Sequence, residues 1–198
     1  MLSMGIEAFS LALYDNRRLV ERLLDLYVDW VEVVADRVCQ LGFDVFVSTD
    51  DVAFGAATFF SPKVFRELVY PRFERVARKI TLPWLFHSDG NVTALLDDFI
   101  GLGIAALHPI EPGAMDIRAV KRKYGDRLCL CGNVDMDLLS RGTVGEVDDT
   151  VRGLIRDIGP GGGYILTSGN SLAHYCRPEN ALAMSAAAQK YGSYPIKA

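Results

Sequence analysis

Short apolar runs alternate along the chain with longer stretches in which apolar residues recur every three or four positions. Helical spacing fills the region 16–41, for example, where Leu19, Leu23 and Tyr27 follow one another on one face. Alternation of this kind with short connections predicts a parallel sheet, either open or closed into a barrel. The apolar runs predict buried strands at 43–49, 83–88, 104–109, 127–133 and 163–168.

Local signals mark the ends of several helices. Ser61 and the proline that follows it predict a helix start, because serine caps a first turn and proline fits its first position. Thr143 and Glu146 have the spacing of a capping box at the start of another helix. Two further helices are expected over 92–102 and 178–191.

All five predicted strands end in polar residues. Ligands of parallel α/β folds bind outside the carboxyl ends of the strands, in barrels and in open sheets alike. The ends of the strands therefore predict a functional site at one face of the sheet. The tips read TDD (49–51), HSD (87–89), HPIE (108–111), GNVD (132–135) and SGN (168–170).

The polar residues after the second apolar run include the pair best suited to metal binding or acid–base catalysis. Alternation along an extended chain places His87 and Asp89 on one face, ~6–7 Å apart along the chain direction. Imidazole and carboxylate are both ligands that zinc accepts. Three roles are open for the pair: metal ligation, direct acid–base or substrate contact, and a hydrogen bond in which His87 orients Asp89. Of the two aspartates after the first run, Asp51 is the better candidate to point inward.

The other tips carry weaker candidates. His108 stands where a helix start is expected, so Glu111 is the better candidate for the mouth of the site. Asn133 and Asp135 follow a glycine, and they either contact a ligand or fix the turn from strand to helix. Cys131 lies near the end of its strand, where packing as a small hydrophobic residue is the favoured role.

Composition narrows the class of protein. The 198 residues are 50% hydrophobic and 23% charged, with a net charge of −4 and no long basic run, which disfavours a nucleic-acid surface. No apolar stretch reaches the ~20 residues that cross a bilayer. The four cysteines are too few and too scattered for a disulfide framework, and no signal-peptide pattern opens the chain. We therefore expect no nucleic-acid or membrane partner and a cytoplasmic location.

Several motifs together resemble the C-terminal half of the uroporphyrinogen decarboxylase superfamily, which includes the corrinoid-dependent methyltransferases. They are SDGN, HPIEPGAMDI, GNVD, GTVGEV, GGGYIL and RPENALAM, with DDVAFGAATFFSPKVFRELVYPRFERV upstream. The resemblance implies a TIM-type (β/α) barrel in which residues 1–198 form a single domain. Only about five parallel strands with outer helices are expected, so the barrel is incomplete in this chain. We expect an oligomer, or a complement that supplies the missing barrel half.

The resemblance also implies roles for site residues. The methyltransferases end the strand that matches 83–88 in His-x-Cys and carry a later cysteine, and together these residues hold zinc. This chain has His87-x-Asp89 in the first position and Asn170 in the second, so His87 and Asp89 are the expected ligands of a zinc ion. Catalysis is expected from His87, Asp89 and Asp51. Substrate binding is expected from Asn170, Asn133, Glu111 and Ser168.

The resemblance leaves three functions open. The first is methyl transfer between a small substrate and a corrinoid carried by a partner protein. The second is uroporphyrinogen decarboxylation in porphyrin biosynthesis, a carboxy-lyase reaction on a tetrapyrrole. It is disfavoured because the arginine-containing entrance of the decarboxylases would precede residue 1. The third is a partial barrel that acts as a subunit of a split enzyme.

Overall fold

A computed structural model describes residues 4–196 and divides into two compact units. The first unit comprises Met1–Phe46 and Ser61–Pro83, and the second comprises Val47–Phe60 and Trp84–Ala198. The expectation of a single domain stays a prediction. Each unit is described by itself below.

The first unit is helical. Its longest helix carries apolar residues on more than one side, with Val20 and Val28 buried and Trp30 61% exposed. Asp25 of this helix pairs with Arg72 at 2.8 Å. The helices are α1 (Ile6–Asp15), α2 (Arg17–Cys39), the single turn α3 (Pro62–Val64) and α4 (Tyr70–Ala77).

The helix predicted from Ser61 forms, but its middle is widened. Ser61 Oγ accepts a hydrogen bond from Val64 N at 3.2 Å, as its capping role predicts. Between α3 and α4 the chain forms a π-helix over Phe65–Val69. Pro71 lacks the N–H that an α-helix would donate to the carbonyl of Glu67, and the wider turn accommodates its ring.

The second unit is built on a five-stranded sheet in which all five predicted strands are present, with ends moved by up to three residues. A two-stranded antiparallel hairpin, which the sequence pattern does not predict, follows the first strand. The strands are β1 (Phe46–Thr49), β2 (Ala53–Phe54), β3 (Ala57–Thr58), β4 (Trp84–His87), β5 (Ile104–His108), β6 (Cys129–Val134) and β7 (Tyr164–Ser168).

Helices of the second unit follow the strands of the sheet. Thr143 and Glu146 form the predicted capping box, with both side-chain bonds to the backbone present. The helix expected over 92–102 begins instead as a 3-10 turn at Thr93–Leu95. The helices are α5 (Leu96–Gly101), α6 (Ile117–Tyr124), α7 (Met136–Arg141), α8 (Val144–Ile158) and α9 (Pro178–Tyr191).

The strand order of the sheet is β1-β4-β5-β6-β7, and it follows the chain without a reversal. A doubly wound sheet reverses its order at a switch point, whereas a barrel adds each strand on the same side. The order is therefore typical of a barrel segment. In this sheet β1 and β7 are the edge strands. No helix within residues 4–196 is long and apolar enough to cross a membrane.

Alternation along β4 decides which residues reach the functional face. Trp84 and Phe86 are buried, and the Phe86 ring lies 5.1 Å from that of Phe99 on α5. Successive side chains of a strand point to opposite sides of the sheet. Leu85 and His87 therefore face away from α5, into the side that a barrel encloses.

The β2–β3 hairpin is held against the loop that follows β4. Asn91 N donates to the carbonyl of Gly55 at 2.8 Å. Gly90 has φ 78°, and a Cβ there would lie 2.6 Å from Phe54 N. Only glycine combines that conformation with so close an approach. The SDGN sequence thus fixes the hairpin beside the end of β4.

Candidate functional site

Two histidines meet at the ends of neighbouring strands in the second unit. His87 of β4 is in parallel register with His108 of β5. Residues in register on adjacent strands point to the same side of a sheet. Their Nδ1 atoms are 2.7 Å apart, which makes a hydrogen bond between the rings. This contact leaves Nε2 of His87 on the far side of its ring.

Two carboxylates lie near that free nitrogen. His87 Nε2 is 3.7 Å from Asp89 Oδ1 and 3.8 Å from Asp51 Oδ1. Asp89 N also donates to Asp51 Oδ1 at 2.9 Å, which ties the segment after β1 to the loop after β4. One donor atom from each of the three residues lies within 4.8 Å of the others. The structure therefore brings Asp51, His87 and Asp89 together as a possible metal site.

The two oxygens of Asp89 differ in their surroundings. Oδ2 accepts a hydrogen bond from Asn170 Nδ2 at 2.8 Å. Oδ1 is buried and has no hydrogen-bond partner among residues 4–196. A buried carboxylate oxygen without a donor is unfavourable, and the 3.7 Å to His87 Nε2 is too long for a hydrogen bond. A cation between these two atoms would satisfy both of them.

The loop after β4 is fastened by hydrogen bonds to two other strand ends. Val52 N donates to Ser88 Oγ at 3.1 Å, and Ser88 N donates to the carbonyl of His108 at 3.0 Å. Gly90 N donates to Glu111 Oε2 at 2.5 Å. Glu111, expected to bind substrate, thus holds the loop with one carboxylate oxygen.

Asn170 and Ser168 form hydrogen bonds within the same region. Asn170 donates to Asp89 through Nδ2 and accepts from Ser171 N through Oδ1, at 2.7 Å. Ser168 Oγ donates to the carbonyl of Asn170 at 2.7 Å. Both residues therefore support Asp89, and their predicted contact with substrate stays a prediction.

Asn133 and Asp135 have structural partners. Asn133 is 8% exposed, and its Nδ2 donates to the carbonyl of Ile110 at 2.7 Å. Ile110 has φ 50°, an unfavourable conformation for a β-branched residue that this bond helps to hold. Asp135 caps α7 by accepting from Asp137 N at 2.7 Å. With Pro112 the two residues also line a cavity of about 400 Å³, to which Asp51, His87 and Asp89 do not contribute.

Cys131 does not contribute a thiolate to the site. It is 1% exposed. The neighbouring Cys129 and burial raise the pKa of the Cys131 thiol, so the neutral form is favoured. This agrees with the role in packing that the sequence favours.

His108 belongs to the site, although its HPIE motif was interpreted from the sequence as a helix start. The structure places it at the end of β5, opposite His87. Burial and the nearby His87 lower the pKa of His108, so the neutral imidazole is favoured. The signal was present: HPIE follows its apolar run as HSD follows the run before it.

Strand ends that gather imidazole and carboxylate groups on a sheet in barrel order define a barrel-type α/β protein. The model of the uroporphyrinogen decarboxylase (URO-D) family matches residues 1–191, and the chain belongs to that family. A methyltransferase from Methanosarcina mazei has a similar structure, with a TM-score of 0.79 and 24% sequence identity. The match covers 96% of this chain and 54% of the methyltransferase. No curated protein sequence is significantly similar.

This structural similarity gives the fold class. The chain is an α/β protein with an incomplete TIM-type barrel, in which five parallel strands are flanked by helices. It spans about half the length of the similar methyltransferase, at 54%. The sequence-based prediction of the fold is confirmed.

Proposed function

We propose that the chain carries the metal-binding part of a methyltransferase of the URO-D family. In this proposal a methyl group moves between a corrinoid held by a partner protein and a small substrate bound near Asp51, His87 and Asp89. The observation that carries the proposal is the buried Asp89 Oδ1, which has no hydrogen-bond partner within the described residues 4–196 and lies 3.7 Å from His87 Nε2. The likeness to a methyltransferase supports the class of reaction.

The residues present fit a divalent ion such as zinc. His87 would bind through Nε2, Asp89 through Oδ1, and Asp51 through its carboxylate. Imidazole nitrogen and carboxylate oxygen are ordinary zinc ligands. Tetrahedral zinc with bonds of ~2.0 Å keeps its ligand atoms about 3.3 Å apart. The 3.7 and 3.8 Å from His87 Nε2 therefore require a contraction of a few tenths of an ångström. The three donor atoms lie within 4.8 Å of one another, so the two carboxylates would also move closer together to share one ion.

A bound divalent ion would supply Lewis acidity, which lowers the pKa of a thiol or hydroxyl group that it contacts. The side chains around the ion would transfer protons and hold the ligands in position. Asp51 is half exposed, at 50% of its side chain, and can pass a released proton to water. Asn170 holds the second oxygen of Asp89, so that Oδ1 stays directed at His87. Glu111 holds the backbone of the same loop.

The second candidate function is decarboxylation of uroporphyrinogen, because the matching family model carries that name. His87 or Asp51 would then protonate a pyrrole ring so that a carboxylate could leave as CO₂. The two functions differ in their need for a metal. Removal of the ion would abolish the proposed methyl transfer and would leave an acid-catalysed decarboxylation in place.

We further propose that additional strands, from a partner or a second copy, cover the open sides of the sheet. Val47 on β1 is 58% exposed and Ile165 on β7 is 47% exposed, and both belong to edge strands. Exposed apolar edge strands are prone to pair with other chains. Sedimentation of the pure chain should therefore show association. A stable monomer of 21.8 kDa would contradict this part of the proposal.

One assay compares the two functions. The chain, with any subunits that co-purify, is incubated with methylcobalamin and a panel of small thiols and alcohols, and methylated products are detected by mass spectrometry. A parallel reaction follows CO₂ release from uroporphyrinogen. We expect methyl transfer that disappears in His87→Ala and after chelation, and that persists in Cys131→Ser. CO₂ release without methyl transfer would favour the second candidate instead.

A further inference from the structure

We propose that helix α2 pairs with α2 of a second copy of this chain, in antiparallel direction, through an exposed apolar seam. The inference concerns the first unit alone and does not depend on the proposed methyl transfer. The seam consists of five residues on one side of the helix: Leu19, Leu23, Leu26, Trp30 and Val33.

The spacing of the seam is that of a coiled coil. Its residues follow one another at intervals of four, three, four and three positions. An apolar repeat of this kind, with a mean of 3.5 residues, is the pattern by which two helices interlock their side chains. Each residue of the seam is between 38% and 61% exposed. Within residues 4–196 this helix-pairing surface is therefore largely open to solvent.

A different side of α2 packs within the first unit. Val20, Val28 and Ala35 are buried on that side. Helices α2 and α4 are in contact, and Arg72 Nη2 lies 2.8 Å from Asp25 Oδ1. A helix that buries one side in its own unit usually carries polar residues on the other. The seam is therefore a second apolar stripe, and a contiguous exposed stripe of this kind indicates a binding surface.

A second copy of α2 can cover the whole seam. In an antiparallel pair the residues that face each other run in opposite order along the two helices. Centring the seam on itself then places Leu26 opposite Trp30 of the second copy, and Leu23 opposite Val33 of the second copy. Two-fold symmetry repeats both contacts, so the same surface is buried on each chain and the assembly closes as a dimer.

The charged residues beside the seam favour this antiparallel direction. Arg22, Asp29 and Asp36 are exposed and follow one flank of the seam at intervals of seven positions. In the antiparallel pair Arg22 faces Asp36 of the second copy, and symmetry repeats the contact. Asp29 faces its own counterpart at the centre, where each carboxylate is already paired with an arginine. Arg75 Nη2 lies 2.6 Å from Asp29 Oδ1.

A parallel pair would lack these charge contacts. In parallel coiled coils one flank of each helix faces the opposite flank of its partner, and charged pairs between the flanks set the choice of partner. The opposite flank of α2 carries Tyr27 and Val34, which have no charge. Opposite charges of α2 therefore meet only when two copies run in opposite directions. This self-complementarity identifies a second copy of the chain as the occupant of the seam.

Sedimentation equilibrium of the full chain, over a range of concentrations, tests the seam. We expect the wild type to self-associate, and Leu26→Lys to raise the dissociation constant by about 100-fold, because the dimer would bury two added charges. Leu182→Lys on α9 is the matched control, since Leu182 is 71% exposed and lies outside the seam. Its dissociation constant should stay within a few-fold of the wild type. Circular dichroism should show equal helix content in all three proteins.

Three results would overturn the inference. The first is a wild type that sediments as a monomer of 21.8 kDa. The second is self-association that Leu26→Lys leaves unchanged, which would assign it to the edge strands of the sheet. The third is a different co-purifying subunit that Leu26→Lys releases from a chain without self-association, which would assign the seam to that subunit.

A charge exchange tests the direction of the two helices. Arg22→Asp and Asp36→Arg each place like charges at both ends of the antiparallel pair, so each should raise the dissociation constant by about 10-fold at low ionic strength. The double variant restores the opposite charges and should return to within a few-fold of the wild type. A double variant that associates more weakly than either single variant would overturn the antiparallel pairing. Because sedimentation needs no metal, failure of the zinc and methyl-transfer assays would leave this result unaffected.

Discussion

Two strand ends of the second unit carry similar polar residues, but the hydrogen bonds of these residues differ. His87 and Asp89 follow the apolar part of β4, and Asn133 and Asp135 follow that of β6. At β6 the polar groups have nearby backbone partners: Asn133 donates to Ile110, and Asp135 caps α7. At β4 one carboxylate oxygen and one imidazole nitrogen face each other with no bond between them.

The difference shows how to separate a supporting polar residue from a candidate ligand. Both strand ends have the residue types that suit a binding site, and both lie at the carboxyl edge of the sheet. At β6 the side-chain hydrogen bonds hold the turns that follow the strands. At β4 the hydrogen bond from Asn170 to Asp89 and the one between His87 and His108 orient two side chains while leaving one atom of each unused. Unused polar atoms in a shielded position are the feature that indicates a ligand.

The largest loss of stability is expected on substitution of Gly132, which lies within β6. Gly132 has φ 145°, and a Cβ there would lie 2.0 Å from the carbonyl oxygen of Pro109. Gly132→Ala should lower the free energy of unfolding by about 3 kcal/mol, measured by urea unfolding. Gly153→Ala is the control, because a Cβ added to that helical glycine would meet no atom of another described segment within 4 Å. It should raise stability by about 1 kcal/mol. Equal stability of the two variants would contradict the close approach.

Removal of the Asn133 amide tests the supporting role at β6. Asn133→Ala leaves the buried carbonyl of Ile110 without its donor, which should cost about 2 kcal/mol of unfolding free energy. Zinc affinity should stay within a few-fold of the wild type, because the Asn133 amide donates to the carbonyl of Ile110 and, within residues 4–196, to none of the three candidate ligands. A loss of zinc binding at unchanged stability would reverse the assignment of the two strand ends.

The matched substitution at the β4 site is Asn170→Ala. It removes the donor to Asp89 Oδ2, so that the carboxylate is free to rotate. We expect zinc affinity to fall by about 10-fold and the unfolding free energy to change by less than about 1 kcal/mol. Chelator competition and urea unfolding measure the two quantities. Asn133→Ala is the matched comparison, because there we expect the larger effect on stability and the smaller effect on zinc affinity.

The smallest effect is expected from Asp135→Ala. The substitution removes the cap of α7 and should cost about 1 kcal/mol of stability. Asp135 is exposed, so no buried group is left unpaired. Zinc affinity should be unchanged in the same competition assay. An effect on zinc as large as that of Asn170→Ala would place Asp135 in the site.

The parts of the fold that were predicted correctly depend on local physics. Ser61 and Thr143 cap their helices because an oxygen three residues before a free N–H can reach it in any protein. Apolar runs bounded by turn residues located the five strands. The β2–β3 hairpin was missed because strands of two residues have no periodicity to detect. The π-helix before α4 was missed because a proline inside a helix can also kink or end it.

The site was only partly predictable for a different reason. The pairing of His87 with Asp89 follows from their spacing on one strand. The place of His108 depends on the register between β4 and β5, and that of Asn170 depends on a contact across 81 positions of the chain. Neither the register of two strands nor a contact between distant residues can be inferred from a single sequence. The second carboxylate, from Asp51, was the favoured member of an adjacent pair in the sequence, and its position beside His87 is seen only in the structure.

The central claim is that Asp51, His87 and Asp89 hold a metal ion, and metal content tests it most directly. Wild type, His87→Ala and Cys131→Ser are incubated with zinc, passed over a desalting column and measured by elemental analysis. We predict stoichiometric zinc in the wild type and in Cys131→Ser, and none in His87→Ala. Equal zinc in the wild type and His87→Ala, or a loss confined to Cys131→Ser, would contradict the claim.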